Sequence, residues 1–378
     1  MAGRTVDVVE MGDSSGNGMI VKIKLSSGRK IFAFATKNIY GGNWNLGPTW
    51  NYLITGDRLF LLDTGRRGSG PSLMEMISLA GFSAPELDCV ILSHGHEDHD
   101  GGLSYVADRT GAKISAHEIY QYLIKPYPGK APSPEKQNFP ASCWRCPMPE
   151  SFVRENCRDY HRERMGLAIN GIEGPEYELS EAIKLFHTPG HSPDALTVVV
   201  DNEALLPGDT ILPDITPHPT QERFYDLTKT ILPEKYAKAQ QIYGLQAYLR
   251  SIKEIKKLGR KFPGLLLLPG HRLFFEDRWQ FVELESRVQD LFEHHIERCE
   301  SIKRALKDGP RTAEEIAQQC FEQRLLEGYG MNLAINEVLS HLELMERSGD
   351  VVATSNMKFA TKNSANFEPF IRSIMEQG

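Results

Sequence analysis

The chain has 378 residues, 40% of them apolar and 25% charged, and a formal net charge of -7. That length allows roughly two domains of about 100 to 200 residues, each able to bury a core. The acidic balance excludes a global attraction to polyanions. With no run of about 18 apolar residues and no basic-then-apolar leader, a cytoplasmic protein with no membrane partner is expected.

In chain order, "MIVKIKLSSGRKIFAFAT" and "WNYLITGDRLFLLDTG" alternate apolar and polar residues around turn pairs, which predicts antiparallel hairpins. "PSLMEMISLAG" sets Leu73, Met76, Ile77 and Leu79 on one helical face, with Gly81 placed to end the helix. The strand "LDCVILS", a helix in "GGLSYVADRTG" and the strand "AKISAH" follow. Residues 122–175 carry several prolines and three cysteines and read as an insertion, a lid or a disordered segment. Strands resume at "AIKLFHT", "ALTVVVDNEALLPGD" and "GLLLLPGH", with a helix-rich stretch before the last. The mixture predicts an α/β domain over residues 1–275.

Residues 276–378 read as a second unit. A long helix is expected from about Glu276, with Leu284, Val288, Leu291, Phe292, Ile296 and Cys299 on one stripe. Thr312 and Glu315 have the spacing of a capping box. A helix in "NLAINEVLSHLELMERSG" and a hairpin in "DVVATSNMKFAT" complete a winged-helix-like pattern. Of the six cysteines, Cys89, Cys299 and Cys320 fall in apolar patterns and are expected to be buried thiols.

Chemistry concentrates in "ILSHGHEDHDGG". His94 and His96, two apart on an extended backbone, project to one side, and Asp98 and His99 turn toward a neighbouring point. Imidazole with carboxylate suits zinc and other borderline divalent ions. Three later segments also end an apolar strand with a polar residue: "IKLFHTPGHSPD", "ALLPGDT" and "LLLLPGH". They offer His191 with His187 as the alternative, Asp209 and His271. Singly, a histidine or aspartate in such a turn is an ordinary surface or turn residue. Four of them in this order point to one metal site.

That order resembles the metallo-β-lactamase superfamily, whose His-x-His-x-Asp-His motif stands here as "HGHEDH", followed by "HTPGHS", "GDT" and "PGH". The resemblance covers about residues 18–275 and implies a four-layer αβ/βα sandwich with a binuclear centre. His94, His96 and His191 would hold one metal, Asp98, His99 and His271 the other, and Asp209 would bridge. Asp63, in "LLDTG", would orient a ligand histidine. The family's ligand is the second histidine of "HTPGH", which favours His191. Two ions, zinc with iron or manganese as alternatives, would share a hydroxide as nucleophile, and Asp98 could handle the proton.

The superfamily covers several substrate classes, so fold and motif do not choose among them. The C-terminal "EHHIERCESIKRALKDGPRTAEEIA" is similar to a branch with a C-terminal winged helix, which includes endoribonucleases, thioesterases and glyoxalase-like enzymes. A small thioester or ester is therefore expected first and RNA second. Oxygen chemistry at a single iron and a ligand-sensing DNA regulator stand further back. From Ser301 to Gly378 there are 9 basic and 11 acidic side chains, and the helix over 332–346 carries Glu337, Glu343 and Glu346. That disfavours DNA and favours a packing, lid or homodimer role.

The insertion leans the other way, with 8 basic and 5 acidic residues from Lys125 to Met165. Arg154, Arg158, Arg162 and Arg164 belong either to a solvated helix face or to a lid offering cations to an anionic small molecule. Cys143, Cys146, Cys157 and His161 have spacings that could hold a structural zinc.

Overall fold

The structure, a computed structural model, describes residues 4–39, 43–129, 137–144, 151, 153–362 and 364–376. The expected hairpins form one antiparallel run: β1 (Thr5–Glu10), β2 (Ile20–Lys24), β3 (Lys30–Thr36), β4 (Thr49–Ile54) and β5 (Leu59–Leu62). β6 (Leu87–Ile91), β7 (Lys113–His117) and β8 (Ile169–Ile172) then add in parallel, completing an eight-stranded sheet. Parallel neighbours need crossovers. These contain α1 (Gly70–Leu79), the one-turn α2 (Glu97–Asp100), α3 (Leu103–Thr110), α4 (Glu118–Leu123), α5 (Ala141–Trp144) and α6 (Arg158–Met165).

Leu73, Met76 and Ile77 face the sheet as their spacing requires, but Leu79 points outward and is 63% exposed. The helix turns past the sheet before its last residue. Gly81 takes positive φ after the helix ends.

A second sheet runs β13-β12-β11-β10-β9, from β9 (Glu176–Ser180), β10 (Ile183–His187), β11 (Leu196–Val200), β12 (Ala204–Leu206) and β13 (Leu266–Leu267). Its inner face packs on the first sheet: Trp50, Tyr52 and Ile91 share one buried cluster with Leu185, Val198 and Leu206. The outer face of the first sheet is covered by α1 and α3. The outer face of the second sheet meets α8 (Gly244–Lys261), which follows the short α7 (Tyr225–Thr228). The layers are helix, sheet, sheet, helix, the expected sandwich. A large apolar side chain buried there contributes about 1.5 to 3 kcal/mol.

The apolar cluster on α8 continues without a break into the C-terminal helices: α9 (Leu284–Ala305), α10 (Ala313–Cys320), α11 (Gly330–Ser348) and α12 (Phe367–Glu376). α9 begins eight residues later than the stripe suggested, because β14 (Phe274–Phe275) and β15 (Arg278–Trp279) make a hairpin first and Glu283 caps the helix. Its six predicted stripe residues are all buried. Thr312 and Glu315 form the expected reciprocal cap. The expected hairpin is β17 (Val351–Ala353) with β18 (Lys358–Thr361), and a short β16 (Arg311–Thr312) pairs with β18. The sequence pattern does not reveal α12. Cys89 and Cys299 are buried, as expected, whereas Cys320 is only half-buried.

The insertion is more ordered than its composition suggested, since α6 and β8 lie within it. Arg164, expected on a solvated or substrate-facing surface, is 3% exposed. Its Nη1 donates to Asp100 Oδ2 at 2.8 Å, and the hydroxyls of Tyr120 and Tyr160 donate to the same carboxylate at 2.8 and 2.6 Å. Arg162 and Arg154 lie near Asp159 and Glu155 at 3.5 and 3.7 Å. Arg164 is thus an interior residue, while Arg154 and Arg162 stay on the surface. Cys143 and Cys157 pack with Phe139 and Val153, and His161 lies against Phe139. Cys146 is outside the described residues.

Of the three acids of α11, Glu337 and Glu343 point inward and Glu346 is exposed. Glu343 accepts from the main-chain N–H groups of Glu222 (2.6 Å) and Arg223 (3.3 Å). Burial raises its carboxyl to about 7 against those bonds.

These buried charges set two expectations for stability. Arg164→Met leaves Asp100 a buried charge without its cation, so a loss of about 3 to 5 kcal/mol is expected in urea unfolding. A loss below about 1 kcal/mol would show the pair to be unimportant. For Glu343, the folded chain keeps a proton between the ordinary carboxyl value of 4.5 and about 7 that the unfolded chain releases. Stability from this group is therefore present at low pH and lost as pH rises through about 7, by at most about 1.4 kcal/mol per pH unit. Glu343→Gln should flatten the fall in urea midpoint from about pH 5 to about pH 7, and an unchanged slope would refute the assignment.

Candidate metal centre

β6 runs out through Leu92 and Ser93 into His94 and His96, which remain extended until His96 caps α2. Both imidazoles consequently face one side, with His94 Nε2 3.0 Å from His96 Nδ1. α2 turns Asp98 and His99 back toward a second point, where His99 Nε2 is 3.3 Å from Asp209 Oδ1.

The other residues arrive on three Pro-Gly turns, each pinned by a hydroxyl. Ser251 donates to Pro189 O at 2.6 Å, Tyr248 to Thr210 O at 3.0 Å, and Tyr52 to Pro269 O at 2.6 Å. Two of the glycines are required by close approach. A Cβ on Gly190, at φ +129, would stand 2.3 Å from the Tyr248 main chain. A Cβ on Gly270 would stand 2.5 Å from Asp209 Oδ1 and 2.9 Å from His99 Cε1. The first turn puts His191 Nε2 3.1 Å from His96 Nδ1. The last puts His271 Nε2 3.2 Å from Asp98 Oδ2 and 3.5 Å from Asp209 Oδ2.

All seven expected ligand residues therefore converge. Three overlapping groups have ligand atoms close enough to share an ion: His94, His96 and His191; His94, His99 and Asp209; Asp98, His99 and His271. His187 lies elsewhere, stacked on His117 with ring centroids 3.6 Å apart and bonded to Pro193 O.

The far nitrogens are held by acceptors that set the tautomer. His99 Nδ1 donates to Asp63 Oδ2 at 2.8 Å, His191 Nδ1 to His218 O at 2.9 Å, and His271 Nδ1 to Pro48 O at 3.0 Å. Ser93 donates from N and Oγ to Asp63 at 2.7 and 2.6 Å, and His94 Nδ1 lies 3.0 Å from that Oγ. Asp63 thus reaches one histidine directly and a second through Ser93, which sequence reading missed. Asn38, also missed, donates to Asp98 Oδ2 at 3.0 Å. A main-chain carbonyl has no residue signature, so His218 and Pro48 were not identifiable from sequence.

The residues fit a cation. His99 Nε2, His271 Nε2 and Asp209 Oδ1 are buried without a hydrogen-bond partner, and buried polar atoms are rarely left so. Burial holds His94 well below the usual imidazole range and His96 at about 3, with neighbouring imidazoles adding to both shifts. Their ring nitrogens are therefore free to ligate at neutral pH. For His99 burial acts downward, yet Asp209, Asp98 and Asp63 carry it well above that range; burial also opposes His271, which Asp209 and Asp98 raise. The shifts describe a pocket that is electronegative on one side and lined with neutral donors on the other.

The sequence matches the model of the metallo-beta-lactamase superfamily over residues 44–271. The chain belongs to that superfamily. The probable metallo-hydrolase YqjP of Bacillus subtilis is 23% identical over 329 residues, covering 80% of this chain and 88% of its own. An atrochrysone carboxyl ACP thioesterase of Aspergillus fumigatus is 24% identical over 295 residues, covering 75% of this chain and 72% of its own. Among solved structures, a metallo-beta-lactamase family protein of Thermus thermophilus superimposes with TM-score 0.62 at 21% identity, over 88% of this chain and 98% of that one. A beta-lactamase domain protein of Burkholderia ambifaria does so with TM-score 0.63 at 16% identity, over 93% and 97%. Those shares exceed what residues 1–275 alone could supply, so the likeness of fold includes part of the C-terminal helices. The chain is a hydrolase of the metallo-β-lactamase fold.

Asp63→Asn tolerates the positive φ of 63° at that position but halves the acceptor capacity of the side chain. Metal affinity, read by competition with a chromophoric chelator, should fall about 10- to 100-fold. Wild-type affinity in this variant would remove Asp63 from the support of the site.

Proposed function

We propose that the chain is a binuclear metal-dependent hydrolase whose preferred substrates are small thioesters or esters. One observation carries the reading: the two ligand sets His94, His96, His191 and Asp98, His99, His271 stand side by side with the Asp209 carboxylate within 3.7 Å of His191, His99 and His271. The donor set suits zinc, with iron or manganese as alternatives. Divalent cations held there supply a Lewis acid for the developing negative charge and a nucleophilic water near neutral pH.

The chain's own residues do the rest. Asp63, His218 O and Pro48 O fix which imidazole nitrogens face the centre, and Asn38 anchors one oxygen of Asp98. Burial disfavours charge on Asp98, but His99 and His271 hold it below the usual carboxylate range. It stays ionised and can take up the proton of the attacking water. Hydrolysis then releases an acid and a thiol or alcohol. The Aspergillus relative, named as a thioesterase of an acyl carrier protein, supports the thioester choice.

The C-terminal helices, which we read as winged-helix-like, are assigned a packing role. Glu337 and Glu343 of α11 are used against Arg298 and the main chain of residues 222–223, and no cation precedes Arg347 on that helix. A phosphodiester substrate is the second reading, and a DNA regulator is disfavoured by the same acids. No helix among the described residues is long and apolar enough to cross a membrane. A structural zinc on Cys143, Cys146, Cys157 and His161 remains a separate proposal, tested by metal content after Cys143→Ser.

Metal analysis of the purified protein, beside a panel of acyl-CoA, acyl carrier protein thioester, lactone, β-lactam and bis-p-nitrophenyl phosphate, tests the assignment. About two ions per chain and fastest turnover of the thioesters are expected. Fewer than two ions overturns the binuclear reading, and turnover of the phosphodiester alone overturns the substrate reading.

A further inference from the structure

One ligand of the centre is oriented from outside the sandwich. His191 Nδ1 is bonded to the main-chain carbonyl of His218, and Thr220 N and Oγ1 tie the same loop to Gly190 O at 2.7 and 2.8 Å. The ring of His218 makes contacts of its own. The ring packs edge-on against Trp44, with centroids 5.1 Å apart. Its two nitrogens are buried and have no hydrogen-bond partner among the described residues. Glu337 Oε2 lies 3.7 Å from His218 Nε2.

Glu337 comes from α11, more than a hundred residues further along the chain, and is 6% exposed. Its Oε1 accepts from Arg298 Nε at 2.8 Å and lies 3.7 Å from His294 Nε2. Burial works against its charge, but His294, His218 and Arg298 keep the carboxyl well below its usual range. An ionised carboxylate this deep is costly unless it is paired on each side. The arrangement uses Arg298 on one side and leaves the other oxygen facing His218. The alternative assignment, a stabilising ion pair with Arg298 alone, leaves unexplained why the second oxygen meets a residue whose carbonyl sets a candidate ligand. Nearby, Gln221 Nε2 donates to Asn336 Oδ1, so α11 grips this loop at a further point.

We propose that Glu337 is a positioning residue of the metal centre, fixing through His218 the carbonyl that orients His191, so that the C-terminal helices complete the ligand scaffold. The inference rests on the binuclear reading above. The groups facing Glu337 are His218 from the loop, His294 and Arg298 from α9, and His341 from α11 itself.

The test is metal binding, measured without turnover. Wild type, Glu337→Gln, His218→Ala and the double variant are stripped of metal and titrated with Co2+, following visible absorption and competition with a chromophoric chelator. Glu337→Gln keeps an acceptor for Arg298, and His218→Ala keeps the carbonyl while removing the ring that anchors it. Each single variant should bind one ion as the wild type does and the other about 10- to 100-fold more weakly, with an altered spectrum for the weakened site. The double variant should lose no more than the worse single variant, because both act on one chain of contacts. Two ions bound with wild-type affinity by Glu337→Gln, or losses that simply add, would overturn the proposal and leave the binuclear reading standing. Fewer than two ions on the wild type would overturn both.

Discussion

Asp98 and Asp209 are buried where the two sheets meet, and neither can be neutralised by solvent. An apolar interior does not tolerate two such carboxylates unless positive charge is placed between them. Five imidazoles surround them, and the two nearest, His99 and His271, are pushed toward the protonated form when nothing else carries the charge. The remaining three stay neutral with lone pairs converging within 3.0 and 3.1 Å. Converging lone pairs repel, and buried carboxylates demand a cation; divalent ions relieve both at once. The rest of the molecule can be read as the means of keeping these seven side chains in place.

The means is largely rigidity delivered at strand ends. β10, β12 and β13 each stop at a turn that aims one residue inward, and β6 leads into the segment that supplies the other four. A Pro-Gly pair appears before His191, Asp209 and His271: proline ends the ladder and glycine lets the turn approach its neighbour. Function placed on strand ends of a packed sandwich inherits the stability of the core. The hydroxyls of Ser251, Tyr248 and Tyr52 then tie each turn to a neighbouring element, linking α8 and β4 to the site.

This explains which parts of the chain were legible. Ligands could be read because an unusual residue follows an apolar run, and their grouping because four such places occur together. The choice of His191 over His187 needed the family resemblance, and geometry supplies the reason: His187 is still in the β10 ladder and faces His117. Apart from Asp63, which the family resemblance supplied, the residues that hold the ligands left no comparable trace. Ser93 is an ordinary serine in sequence, and the carbonyls of Pro48 and His218 could belong to any residue. β8 and β9 were missed because "AINGIEGPEYELS" is short, polar and interrupted by glycine and proline. The end of the first sheet was therefore mistaken for part of the insertion.

Counting charges along a segment proved a poor guide to where charge is available. Arg164 belonged to a basic-rich stretch, yet it enters the interior, where it locks α6 onto Asp100 immediately behind the metal motif. The acids of α11 were expected to disfavour a nucleic-acid groove, a count that treats them as if all were solvated. Instead, Glu337 and Glu343 turn toward the sandwich and are used on His218, Arg298 and the main chain of residues 222–223. Those contacts tie α11 to the loop that carries the His218 carbonyl.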